Sequence, residues 1–288
     1  MTGSGAAWRL VLIALLAALA ACASGDLEGD ESMDVLKKQV LEKKRGASVR
    51  AKQLGRKANP LLLELAKNPD AEVRLVAVYC LRETGGSEVF PGLISALSDP
   101  DLQVAGAAAF ALDRLYDPSL AAPLLQAYDR IPHPSIRHKT ALLIGRGDRK
   151  ADPVELRKRL DAEKNPEAAE GCVVALARLG DKTAREDFVN RLQASRGPVR
   201  RRFLAHGKYI GASWLLKPLL PVLDDKEELV HSGVDAKPEL DREIRACDLA
   251  VNLVGALSNR DFSFKIAEFS VYTDPQVDEV RRYLKTLP

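Results

Sequence analysis

Between Pro69 and Gly207 one arrangement of apolar and polar positions returns five times. Val73, Val76, Ala77, Cys80 and Leu81 stand at i, i+3, i+4, i+7 and i+8, a single stripe along one helix. The stripe returns at Val104, Ala107, Ala108, Ala111 and Leu112, in the runs 136–144 and 168–176, and in rougher form from Val199 to Phe203. Its starting positions, 73, 104, 136, 168 and 199, lie 31 or 32 residues apart. A fixed period of this size predicts stacked units, each covering its apolar stripe with its neighbour.

Each unit reads as helix, tight turn, helix. Asn68-Pro69-Asp70 and Ser98-Asp99-Pro100-Asp101 combine Pro with an acid in the first turn, the signal of a helix start. Gly85-Gly86 ends the first helix, and Val89, Phe90, Leu93, Ile94 and Leu97 supply the apolar side of its partner. Units three, four and five open at Pro134, Pro166 and Pro198. Their second helices are expected near Val154–Leu160, around Phe188–Leu192 and over Trp214–Leu223. Met33–Arg45 and Pro60–Lys67 read as capping helices ahead of the first unit. After Leu223 the period breaks at an insertion, Asp224–Pro238, before Leu240, Ile244, Cys247, Val251 and Val254 resume the stripe. The tail carries Phe262, Phe264, Phe269 and Tyr272 and closes with a helix from Asp274-Pro275. No strand is evident.

The succession Pro69-Asp70-Ala71-Glu72-Val73-Arg74 with Ala77 and Leu81, and its copies, resembles the HEAT repeat. The closest type is the short one first named from phycobilisome lyases. The resemblance covers roughly residues 47–258 and implies an all-α fold, a right-handed α-α superhelix or solenoid of helical hairpins. It implies an interaction scaffold, since most such arrays serve as one, while some members have lyase-type activity.

The first residues carry a different message. Leu10–Ala21 is an unbroken apolar run with Arg9 as the one preceding charge. It is short of the roughly 20 residues a bilayer span needs and matches a signal-peptide core. Leu19-Ala20-Ala21-Cys22 resembles the lipobox of bacterial lipoproteins, which implies a diacylglycerol thioether on Cys22 as the mature N-terminus. An ordinary secretory signal with a chance cysteine is the alternative. Ala23 after the cysteine implies, in a Gram-negative cell, the periplasmic face of the outer membrane. The expected organisation is a signal peptide over 1–21, a tether over 22–32, capping helices over 33–67, five HEAT-like repeats over 68–223, the insertion 224–238, and a final repeat with C-terminal cap over 239–288.

Hydrophobic content of 46% with 29% charged residues fits a folded soluble chain, and 5% aromatics fits a core of Leu, Val and Ala. A net charge of +3 argues for no polyanion partner, and an extracytoplasmic anchor argues against nucleic acid. The distribution is uneven. Residues 68–128 hold three basic and eight acidic side chains, 129–210 nineteen and eleven, and 211–288 ten and fourteen. In the basic middle, Arg157, Arg159, Arg185, Arg191, Arg196, Arg200 and Arg201 recur across three consecutive units. Arg157, Arg185 and Arg191 fall on second helices, which line the concave face in the family resembled. These arginines are expected to meet an envelope protein with an acidic surface, or anionic lipid or glycolipid headgroups. A solvated face that keeps the chain soluble accounts for them equally.

Candidate chemistry is sparse. Cys80, Cys172 and Cys247 take the place of small apolar residues and read as buried. His133, His138, His206 and His231 show no metal spacing to carboxylates, and the His-Glu doublet of HEAT-type metal hydroxylases is missing. No metal, cofactor or catalytic residue is expected, and the chain reads as non-enzymatic, with handling of a prosthetic group as the lesser alternative. Polar residues break the stripe late in the array. Arg202 and His206 occupy the offsets of Val76 and Cys80, while Asp248 and Asn252 occupy those of Ala77 and Leu81. An unpaired buried polar group is costly, so the four are expected to form one cluster with Asp248 facing Arg202 or His206. A helix rotated to turn them towards water is the competing expectation.

Overall fold

The computed structural model describes residues 31–229, 244–268 and 270–288. Over these the architecture is all-α, made of paired helices, as the repeat predicts. The signal run, Cys22 and residues 230–243 of the insertion region lie outside the described residues, as do His231 and Phe269. The chain forms two compact units: residues up to Asp117 with Arg130–Ile136, and Pro118–Asp129 with Arg137–Pro288.

The first unit contains α1 (residues 31–41), α2 (Ala47–Leu54), α3 (Asn59–Leu65), α4 (Ala71–Thr84), α5 (Phe90–Ala96) and α6 (Leu102–Arg114). Helix α4 packs between α2 and α6, with α3 against α4 and α5 against α6. Val73, Ala77, Cys80 and Leu81 are buried as the stripe requires, together with Val78, whereas Val76 is half-buried. Helices α4 and α6 begin where an aspartate caps them. The Asp70 carboxylate accepts the Glu72 amide, and Asp101 accepts those of Gln103 and Val104, each cap being worth about 1 kcal/mol. Gly85, at φ +66°, ends α4 by donating its N–H to the Leu81 carbonyl, a backbone position that favours glycine.

The second unit contains α7 (Ala121–Ala127), most of α8 (Pro134–Gly145), α9 (Pro153–Ala162), α10 (Pro166–Leu179), α11 (Lys182–Ala194), α12 (Gly197–Ile210), α13 (Ala246–Leu257) and α14 (Asp274–Thr286). Helix α10 packs against α9, α11 and α12, and α12 in turn against α11 and α13.

One ion pair recurs with the repeat. Arg74 makes two hydrogen bonds to Asp99, 2.7 and 2.8 Å, and Asp99 also accepts the Asp101 amide. Arg137 pairs likewise with Glu163 at 2.7 and 3.0 Å, and Glu163 accepts the Asn165 amide. Arg200 pairs with Asp225, which accepts the Glu227 amide. In all three an arginine early in a first helix holds an acid 25 or 26 residues later, at the entry to the following repeat.

Two expectations change. Trp214–Leu223 is not an α-helix: it forms 3-10 turns over Ser213–Leu215 and Lys217–Asp224. Pro218 and Pro221 remove the amides an α-helix would use there. Strand structure is also present, as an antiparallel pair of β1 (Glu228–Leu229) and β2 (Ile244–Arg245). This pair joins the chain on either side of residues 230–243, just after Asp225, the acid that prepares the next helix. The added chain after Asp225 therefore interrupts a helix start that is already in place.

Candidate functional site

Helices α8, α10 and α12 are the first helices of units three to five, and they bring His138, Glu170, Arg202 and His206 to one place. His138 and Glu170 share an offset, two residues after the starting positions 136 and 168. Their helices approach closely at Gly171, where a Cβ would stand 2.7 Å from the His138 Cα and carbonyl oxygen. Any larger residue would force the backbones apart.

Glu170 is buried, and its oxygens are fully engaged. Arg202 grips both of them, Nε to Oε1 at 2.8 Å and Nη2 to Oε2 at 2.9 Å. His206 Nε2 lies 3.2 Å from Oε1. The Arg202 side chain is 53% exposed, so it covers the carboxylate from the solvent side. His138 Nδ1 donates to the Glu167 carbonyl at 2.8 Å, which leaves the Nε2 lone pair of the neutral ring available. Its ring centroid is 5.4 Å from that of His206, and Phe203 meets His206 edge-on at 6.2 Å.

Burial drives the Glu170 carboxyl upward, but the hydrogen bonds from His206 and Arg202 outweigh it and bring it down to about 2. Glu170 is thus an anion at all ordinary pH. Burial lowers His138 below its usual range, and the nearby His206 adds to this against the Glu167 carbonyl and the Glu170 charge. His138 is therefore held neutral. A carboxylate and two imidazoles with one ligand atom each within 4.8 Å of the others can receive a cation or pass a proton. The expectation that no histidine stands with a carboxylate is corrected here. The relevant spacing is one repeat from 138 to 170 and one repeat plus about a helical turn from 170 to 206, not a few residues along one helix.

The cluster differs from the expected one in membership. Asp248 does not pair with Arg202 or His206. It lies at the third position of α13, where its carboxylate accepts the Arg245 amide, the Arg245 guanidinium and the Tyr272 amide. A helix start needs acceptors for its free amides, and that need claims Asp248. Asn252 accepts the Tyr272 hydroxyl at 2.6 Å. Glu170 takes the role assigned to Asp248.

The arginines expected to face a partner are largely spoken for. Arg157 pairs with Asp181, Arg159 with Glu155 and Asp129, and Arg191 with Asp187. Arg185 lies over the Trp214 ring at 5.1 Å, and Arg196 donates to the Gln193 and Ser195 carbonyls. Arg200 is buried at 3% exposure in its pair with Asp225. Of the seven, Arg201 alone makes no hydrogen bond or ion pair to another described residue. It stands at the rim of a groove of about 450 Å3 between α12 and α13. Leu204, Leu249, Leu253 and Ile266 form its apolar wall, and Lys208, paired with the exposed Glu268, shares the rim.

The HEAT_2 family, HEAT repeats, matches residues 58–145. Over those residues the chain is similar to HEAT repeats. No curated protein matches it. Among solved structures it is similar to a chain in the complex of CpcE and CpcF of phycocyanin lyase from Nostoc sp. PCC7120. The likeness has 18% identity and a TM-score of 0.45 and covers 82% of this chain and 88% of that one. That solved structure is of a phycocyanin lyase, so the expectation of a non-enzymatic chain is withdrawn. HEAT repeats are helical scaffolds for protein interaction, and that coarse function holds for the array. No helix of the described residues is long and apolar enough to cross a membrane.

Proposed function

We propose that this HEAT-like scaffold is held at the bacterial cell envelope by a lipid on Cys22, and that it binds an acidic, amphipathic segment of another envelope protein. The groove between α12 and α13 carries the reading. It pairs an apolar wall with a cationic rim, and its volume takes one or two bulky side chains. Arg201 has no hydrogen-bond or ion-pair partner among the described residues, and the Lys208–Glu268 pair is exposed on both sides, so it yields to a competing carboxylate at little cost. The apolar run ending in Leu19-Ala20-Ala21-Cys22 supports the anchor, which raises the local concentration of scaffold near membrane-bound partners.

Two experiments test the two halves separately. Cys22→Ala should move the protein from the membrane fraction to the soluble fraction; retention at the membrane would remove the lipid anchor. A photo-crosslinking residue at position 249 in the full chain should capture a partner protein in envelope preparations, and Arg201→Glu should lower the yield about tenfold. Equal capture with Arg201→Glu, or crosslinks to glycolipid alone, would overturn the protein-binding groove.

A further inference from the structure

We infer that His138, Glu170 and His206 form a binding site for a divalent first-row transition-metal ion of the zinc type, with Arg202 as its displaceable counter-charge. The donor set is two imidazoles and one carboxylate, the mixture such ions take, and alkaline-earth ions prefer all-oxygen sites. The three donors come from three successive first helices, so packing of α8, α10 and α12 fixes their spacing without any loop. Tetrahedral zinc at about 2.0–2.1 Å from each donor needs donor atoms about 3.3 Å apart. The present limit of 4.8 Å closes to that by side-chain rotation of about 1.5 Å in total.

The remaining features prepare the site for a cation. His138 Nδ1 donates to the Glu167 carbonyl, the arrangement that orients a ligating imidazole and points Nε2 to the ion. Arg202 currently supplies the positive charge. Its side chain is 53% exposed, so it swings into water when a doubly charged ion replaces it on Glu170. The open side left by Arg202 is the direction from which water or a further ligand completes the coordination. The cysteines do not compete for the ion. Cys80, Cys172 and Cys247 are buried, and burial pushes the Cys80 thiol up to about 12 and Cys172 to about 11.

The test is a calorimetric titration of the untagged full chain with Zn2+. A single saturable site is expected. Arg202→Gln should tighten it about tenfold and His138→Ala weaken it about tenfold or more. The His138 and His206 ring signals in the wild-type NMR spectrum should move together as Zn2+ is added, a readout that needs no variant to fold. Absence of saturable binding in both the wild type and Arg202→Gln overturns the site. So does Zn2+ binding that leaves the two ring signals unmoved.

Discussion

Glu170 and His138 make the fold acid-sensitive in two stages. The folded pKa of His138 lies below 6.5, so its contribution is complete above 6.5 and is lost as pH falls from there towards the lowered value. Glu170 falls from 4.5 to about 2, so its contribution is present above 4.5 and is lost between 4.5 and about 2. Allowing for the exposure of Arg202, that second contribution is about 2 kcal/mol. Thermal melts across pH should therefore be flat above 6.5 and decline below it, and His138→Gln should remove the first decline only. Gly171→Ala, which drives a methyl into the His138 backbone, should cost about 1–3 kcal/mol in denaturant unfolding. The cluster was only half legible in the sequence. Arg202 and His206 stand out because they replace stripe residues, but Glu170 sits within the run Ala168–Leu176, which reads as apolar as a whole. Comparing equal offsets between neighbouring repeats is the signal that finds it.

Helices in this chain are placed by their starts. Asp70, Asp101, Asp152, Asn165 and Asp181 each accept backbone amides at the head of a helix. These starts were readable from Pro with an acid or Asn, and the element boundaries follow them closely. Where the signal fails, the helix is built otherwise. Ahead of α13 the Asp225 turn is separated from its helix by residues 228–245, and Asp248 with Arg245 takes over the capping. Asp248→Ala would leave the Arg245 guanidinium short of its acceptor and strip two amides of theirs. A loss of about 3 kcal/mol is expected, with the first amides of α13 exchanging faster in hydrogen-exchange experiments. The competing pull on Asp248 was hidden because the Arg245 and Tyr272 amides are brought to it by the strand pair and the tail, neither of which the repeat pattern contains.

Across the molecule, the period fixes the fold class well before any contact is known, while charge counting gives a poorer guide. The excess of positive charge over residues 129–210 suggests a binding face. In the structure, Arg137 and Arg200 are tie-bars between successive repeats, with Arg74 as their counterpart in the first unit, and Arg157, Arg159 and Arg191 answer acids nearby. The early arginine and the acid 25 or 26 residues beyond it are visible in the sequence once the two are compared across repeats. Clustered charge therefore marks internal bracing here, and Arg201, the one of the seven without a hydrogen bond or ion pair among the described residues, stands beside apolar surface.

The three buried thiols carry a consequence for redox life. Cys80, Cys172 and Cys247 lie in different helices, all with raised pKa, and Cys172 shares a hydrogen bond of 3.1 Å with the Tyr128 hydroxyl. Disulfide exchange needs a thiolate that a second sulfur can reach. Among the described residues the fold offers neither, so these three cysteines can persist reduced in an oxidising compartment with no disulfide isomerase to correct them. A maleimide reagent should label none of the three in the native protein and all three after denaturation. The rate of native labelling would then serve as a clock for local opening of the array.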